Sequence, residues 1–174
     1  MKVTSAILAG TFAAISLAAC ATLDDDTCRA GDWEQIGFKD GVNGRGPAFI
    51  RQHAKACNDI GIAPVRSLWE SGRQDGLKLY CTPDNAYDEG ADGRHLRDVC
   101  PVEGVDVLEY QNDRGLTWYR IGRDIRQAEA RIREINAELK KLPSDDPARI
   151  ILTGERMALR LDILHLRARR HHFR

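Results

Sequence analysis

The apolar and polar positions divide the chain into three textures. Ala6 to Leu17 is an almost continuous apolar run. From Cys28 to Cys100, apolar residues come in short bursts punctuated by glycine and proline. From Ile121 onward they recur with a helical period. Ile121, Ile125, Ala128, Ile132, Ile135, Leu139 and Leu142 follow a 4, 3 alternation, which is the spacing of a heptad seam. Pro143-Ser144-Asp145-Asp146-Pro147 interrupts it, with Asp146 suited to cap a helix and Pro147 to open one. Ile150, Gly154, Met157, Leu161, Leu164 and Ala168 then resume the same spacing. Two such helices joined by a short polar turn predict an antiparallel hairpin over residues 121–174, with these residues as its seam. A seam only a few heptads long can also pair with a second copy or another partner.

The middle of the chain reads as short helices. Pro47 opens one that runs through Ile50 and His53 to Cys57, with Gly61 beyond its end. Pro64 opens the next, carrying Leu68, Trp69 and Leu79, and Thr82-Pro83 supplies a cap and first position for a third. No long alternating run argues for a sheet. The expected fold is all-α: a small disulfide-stapled helical domain over residues 28–120, then the hairpin.

A short pattern occurs twice in that domain. Trp33-Glu34-Gln35-Ile36-Gly37-Phe38-Lys39-Asp40-Gly41 is echoed by Trp69-Glu70-Ser71-Gly72-Arg73-Gln74-Asp75-Gly76. Glycines four residues apart share one face of a helix, with the tryptophan near the same stripe. Each interior glycine costs a helix roughly 1 kcal/mol relative to alanine, so the missing side chains imply close approach of a second backbone. The other reading makes Gly41 and Gly76 left-handed helix caps. Both are structural, and neither makes Asp40 or Asp75 a catalyst. Gly37 and Gly72 lie 35 residues apart, near a helical-repeat period, but the third copy due near position 107 is absent from the sequence pattern. Tyr87-Asp88-Glu89-Gly90-Ala91-Asp92-Gly93 is an echo at the wrong period. The chain reads as one compact domain with internal similarity.

The N-terminal run changes the picture of location. Met1-Lys2 is a positive start, and the run is too short to anchor the chain as a membrane span. It ends in Leu17-Ala18-Ala19-Cys20, which is similar to a bacterial lipobox. In that system residues 1–19 are removed and Cys20 is acylated. Acyl chains at about 0.8 kcal/mol per buried methylene then hold a protein on the membrane almost irreversibly. Ala21, where aspartate would retain such a protein at the inner membrane, implies the outer membrane. Residues 20–27, with Asp24-Asp25-Asp26, are expected to be a hydrophilic lipidated tether facing the periplasm.

Setting Cys20 aside leaves Cys28, Cys57, Cys81 and Cys100, which in an exported chain read as two disulfides. Three connectivities are possible. Cys28–Cys57 with Cys81–Cys100 is favoured because each closes a local loop. No pair has the C-x-x-C spacing of a zinc site. A thiol-redox role is a weaker third possibility beside the functions considered below.

Candidate chemistry is sparse. The chain has no nucleophile elbow, phosphate-binding loop or His-Glu-x-x-His helix. His53 and Cys57 have metal-pair spacing on a helix, but the cysteine is better used in a disulfide. A calcium loop around Asp88 fails, because Gly90 and Val99 fall where oxygen ligands are required. No catalytic residue, metal or cofactor is assigned. Trp33, Trp69, Tyr80, Tyr87, Trp118 and Tyr119 have the chemistry to stack on sugars beside carboxylates such as Glu34 and Glu70, although helical spacing favours a core role. Formal net charge is zero, yet residues 121–174 carry 13 Lys/Arg against 8 Asp/Glu. The basic end, His165 to Arg174, reads as a solvated helix end favoured by the helix dipole, or as a contact for anionic lipid, lipopolysaccharide or cell-wall polymer. Nucleic acid is not an expected partner outside the cytoplasm.

Several short motifs together carry a resemblance. Gly31-Asp32-Trp33, Ile36-Gly37-x-x-Asp40-Gly41, His53-x-x-x-Cys57, Gly72-Arg73-x-x-Gly76-Leu77, Tyr80-Cys81-Thr82-Pro83 and Val99-Cys100-Pro101 resemble the domain-of-unknown-function 2799 family of Gram-negative lipoproteins, over about residues 20–125. The resemblance implies the lipobox and paired cysteines and leaves the hairpin outside the common core. It implies no activity. The expectation is an outer-membrane lipoprotein without enzymatic activity, binding a protein, peptidoglycan or lipopolysaccharide partner through its hairpin or basic end. The alternative is a small periplasmic carbohydrate-active hydrolase or carbohydrate-binding protein.

Overall fold

The structure, a computed structural model, describes residues 22–174, and the regular elements among them are all helical. The leader over residues 1–19 and the lipidation candidate Cys20 lie outside the described residues. The helices are α1 (Asp25–Ala30), α2 (Trp33–Val42), α3 (Ile50–Cys57), α4 (Arg66–Tyr80), α5 (Pro83–Ala91), α6 (Val105–Lys141) and α7 (Ala148–His171). Short 3-10 turns at Pro47–Phe49 and Asn58–Ile60 flank α3. No helix among the described residues is long and apolar enough to cross a membrane.

Local chemistry accounts for the helix starts. Asp24, Asp32 and Thr82 each accept a hydrogen bond from the backbone N–H three residues on, satisfying an amide that the helix cannot. Asp146 instead accepts from the Ala148 amide two residues on, and α7 begins at Ala148, one residue later than Pro147 suggested. The acidic stretch expected as a tether departs from that expectation. Asp24 is a cap, residues 25–30 are α1, and Cys28 is buried. The described fold therefore already includes Thr22.

Two helix pairs organise the domain. In the first, α2 crosses α4 with backbones in contact. A β-carbon on Gly37 would lie 2.7 Å from the Trp69 carbonyl carbon, and one on Gly72 would lie 2.8 Å from that of Glu34. Gly41 meets the backbone of Arg73 and Leu77, and Gly76 that of Phe38 and Val42. Gly41 and Gly76 are thus interior contact residues. The caps fall at Asn43 and Cys81 instead.

The second pair, α5 and α6, repeats this design. Gly90 meets the backbone of Asn112 and Leu116, and Gly115 that of Tyr87 and Ala91. Phe38-Lys39-Asp40-Gly41-Val42-Asn43-Gly44-Arg45 corresponds to Tyr87-Asp88-Glu89-Gly90-Ala91-Asp92-Gly93-Arg94. Gly44 and Gly93 both adopt left-handed backbone, φ +62° and +82°, beneath the rings of Tyr80 and Tyr119. Arg73 Nη1 donates to the Arg45 carbonyl at 3.1 Å, and Asn112 Nδ2 donates to the Arg94 carbonyl at 3.0 Å. The echo at Tyr87 is therefore a true structural copy, and Leu108-Glu109 through Gly115 is the copy whose absence near position 107 the sequence pattern implies. Its leucine in place of Trp69 and its Gln111 in place of Gly72 conceal it.

Disulfides Cys28–Cys57 and Cys81–Cys100 pin these pairs in the favoured connectivity. The first lies in a core with Trp33, Ile36, Ile50 and Trp69.

The expected boundary between residues 120 and 121 falls inside α6, one continuous helix of 37 residues. Its first part packs on α5 and its second on α7, which returns as the predicted hairpin. The α6 seam is as expected, with Ile121, Ile125, Ile135 and Leu139 buried. The α7 seam is not. Ile150, Met157, Leu161 and Leu164 are 58–79% exposed, and nothing lies within 4 Å of a β-carbon added to Gly154. The face turned to α6 is instead Leu152, Arg156, Leu159, Ile163, Leu166 and Arg170. Charged partners fix it there. Arg131 on α6 binds Glu155 at 2.7 Å, and Arg156 Nη1 donates to Asn136 at 3.0 Å.

Candidate functional site

Asp40 organises the most polar part of the core. Its Oδ2 accepts from Trp69 Nε1 at 2.8 Å and lies 2.6 Å from His53 Nε2. The other ring nitrogen, Nδ1, lies 2.9 Å from Thr22 Oγ1. With the carboxylate accepting, Nε2 carries a proton. One chain of hydrogen bonds thus ties α2, α3, α4 and Thr22. It borders a surface pocket of about 680 Å³, which Lys39, Asn43, Arg45 and Phe49 also line. Arg45 lies 4.5 Å above the Phe49 ring.

Hydroxyl, imidazole and carboxylate in this order match the connectivity of a nucleophilic relay. The burial here serves packing instead. His53 is 2% exposed, and its carboxylate partner is shared with the indole of a fully buried tryptophan. Asp40 satisfies two buried donors, and that is a sufficient reason for its place beside Gly41.

The second Asp-Gly copy does something different. Asp75 is exposed and pairs with Lys78 at 2.6 Å. Glu70 is held by Arg73 Nε and Nη2 at 2.8 and 2.7 Å, and those hydrogen bonds pull its carboxyl below the ordinary 4.5. Glu34 is exposed on α2. The aromatic rings proposed for sugars are mostly unavailable: Trp33, Trp69 and Tyr80 are buried, and Arg170 covers Trp118 at 3.6 Å. Tyr80 donates no surface either, since its hydroxyl accepts from the Arg97 amide at 3.1 Å. Burial pushes its phenol above the ordinary 10.0.

Cys57 is bonded to Cys28, so His53 and Cys57 form no metal pair. Among the described residues, no group of three or more His, Cys, Asp or Glu could hold a metal ion.

The surface that stands out is the outer side of α7. Ile150, Ile151, Met157, Leu161 and Leu164 are 58–79% exposed and form a stripe down one helix. In helical register Arg160, His165 and Arg169 flank it together with Asp162, while Arg149 turns away to donate to the Leu139 and Leu142 carbonyls at the end of α6. The sequence pattern assigns Ile150, Met157, Leu161 and Leu164 to the hairpin seam, and the structure leaves them exposed instead. The shared hydrogen bonds of Asp40 lie beyond that pattern, since Trp69 is 29 residues away.

The fold and these sites define a disulfide-stapled, all-α protein built from two glycine-packed helix pairs and a projecting helical hairpin. A family model described as "Protein of unknown function (DUF2799)" matches residues 32–117, which span α2 to α5 and the first part of α6. The chain belongs to that family. Comparison with curated proteins and with solved structures finds no match.

Proposed function

We propose that the protein is a lipid-anchored, non-enzymatic interaction module of the outer membrane, exported by residues 1–19, acylated at Cys20 and facing the periplasm. Its partner is an envelope protein that lays an amphipathic helix along the outer face of α7. The observation that carries this reading is the exposed heptad stripe Ile150, Met157, Leu161 and Leu164. A helix normally buries such a stripe, and α7 already uses its other side against α6. The nearest charges are mainly cationic, so the complementary helix carries acidic residues beside its own apolar seam.

Placement next to the membrane follows from the same reading. Only Ala21 separates Cys20 from Thr22, which is bonded to His53 in the folded domain, so an acylated Cys20 would hold the domain against the bilayer instead of on a tether.

Two experiments test this. Metabolic labelling with palmitate is expected to mark the wild-type protein and not Cys20→Ser; equal labelling refutes anchoring at Cys20. Crosslinking in intact envelopes is expected to trap one protein with the wild type, and Leu161→Asp is expected to lose it while unfolding at the same temperature. A partner retained by Leu161→Asp, or a dimer of this chain that Leu161→Asp dissolves, rejects the proposed occupant.

A further inference from the structure

The end of the hairpin carries a second feature, independent of the stripe. Where α7 returns to the middle of α6, a cleft of about 450 Å³ gathers Arg126 from α6 with Arg167, Arg170, His171 and Arg174 from the chain end. Among the described residues, its only side-chain carboxylate is Glu129, which Arg167 engages at 2.9 Å. Among the described residues, Arg126, Arg170 and Arg174 have no carboxylate within salt-bridge distance.

Arg170 is held in a defined position. Its guanidinium lies 3.6 Å from the centre of the Trp118 ring, and its Nε donates to the Trp118 carbonyl at 3.2 Å. Gly122 makes room for it, because a β-carbon there would sit 2.7 Å from Nη2 and 2.9 Å from Cζ. With Nε committed, Nη1 and Nη2 remain as a two-pronged donor whose orientation is set before any ligand arrives. Arg114 Nη2 donates to the Arg174 carbonyl at 3.4 Å and draws the chain end toward the same cleft.

Cations at a helix C-terminus are ordinary complements of its dipole. That accounts for Arg169 and His172. It does not account for Arg126, which comes from another helix, or for a glycine on α6 that admits the Arg170 guanidinium.

We infer that this cleft is a binding site for a phosphate group, with Arg170 as its bidentate anchor and Arg126, His171 and Arg174 closing around the remaining oxygens. A planar guanidinium with two parallel donors fits a tetrahedral oxyanion, and an aromatic platform keeps it from collapsing onto a neighbouring carboxylate. A soluble phosphate or the headgroup of an anionic lipid supplies the same chemistry.

The test uses the full chain in neutral detergent, titrated with inorganic pyrophosphate by calorimetry and, separately, with vesicles of phosphatidylglycerol or phosphatidylcholine. Pyrophosphate is expected to bind, and Arg170→Gln to weaken it by about tenfold or more. Arg170→Lys, which keeps the charge but loses the fork, is also expected to weaken it, as is Gly122→Ala, which keeps every charge. Arg126→Gln leaves the Trp118 stack intact and guards against misfolding of the Arg170 variants. Arg123→Gln, outside the cleft and beside Asp124, is expected to bind as the wild type does. Added preference for phosphatidylglycerol vesicles, lost in Arg170→Gln, identifies a headgroup; pyrophosphate binding without it identifies a soluble ligand. Absence of binding to both probes overturns the inference. So does an equal loss in Arg123→Gln and Arg170→Gln, which reveals only diffuse positive charge.

Discussion

Gly72 of α4 packs its bare α-carbon against the carbonyl of Glu34 in α2, where a β-carbon would sit 2.8 Å from the carbonyl carbon. The obstacle is backbone in the middle of a helix, and it cannot rotate away as a side chain could. Gly72→Ala is therefore expected to destabilise the protein by about 3 kcal/mol or more, as overpacking does. Gly154→Ala has the opposite sign. Its β-carbon would meet nothing within 4 Å, and alanine favours a helix interior by roughly 0.5–1 kcal/mol. Urea unfolding of the two variants checks both. Equal effects would mean that the α2–α4 crossing is looser than described.

The two Asp-Gly copies differ in their consequences. Asp40→Ala strands the buried Trp69 Nε1 and His53 ring, and an expected loss of about 3 kcal/mol follows from leaving two donors unsatisfied. Asp75→Ala removes only an exposed pair with Lys78, and its expected effect is within about 0.5 kcal/mol. Denaturant midpoints measured side by side separate them. Comparable values would show that Asp40 does not organise the core.

Tyr80 confers an alkaline limit. Burial raises its phenol above the unfolded value of 10.0, so the neutral form is favoured in the folded state. The stability this represents is intact below pH 10 and is lost as pH rises through the folded value. Tyr80→Phe is expected to remove that part of the alkaline decline, read as thermal midpoints between pH 9 and 11. A wild-type slope in the variant would contradict it.

Each disulfide closes a modest loop, with sequence separations of 29 and 19 residues. The chain-entropy account gives roughly 3 kcal/mol for either. Cys81→Ser/Cys100→Ser and Cys28→Ser/Cys57→Ser are each expected to lower stability by about that amount. Unchanged unfolding in either double variant would refute a stapling role.

Much of this architecture was legible in the sequence because it rests on local signals. Thr82-Pro83 and Asp146-Pro147 mark helix starts, the glycine pairs mark a close crossing, and local loop closure favoured the observed disulfides. The α7 contact was not legible, because α7 carries two heptad stripes at once. Ile150, Met157, Leu161 and Leu164 are the more apolar and face outward, while the inward stripe contains Arg156 and Arg170. Hydrophobicity ranks the stripes in the wrong order, since the inner one is fixed by ion pairs such as Arg131–Glu155 that only the folded hairpin reveals. Leu108 to Gly115 was hidden for a related reason. The duplication preserves the Gly41–Gly76 crossing as Gly90–Gly115, together with the tyrosine contacts. It replaces Gly37 with Ala86, Gly72 with Gln111, Trp69 with Leu108 and Arg73 with Asn112. The Asp40 network joins four separate segments, so no window of sequence contains it.

The central claim is that the outer face of α7 is a contact surface for an envelope protein. Site-specific photocrosslinking in living cells tests it most directly, with a photoreactive residue at Met157 or Leu161 on that face and at Arg133 on the outer side of α6. The account predicts one discrete heterologous adduct from Met157 and Leu161 and none from Arg133. Adducts absent from all three positions, or as abundant from Arg133, would contradict it.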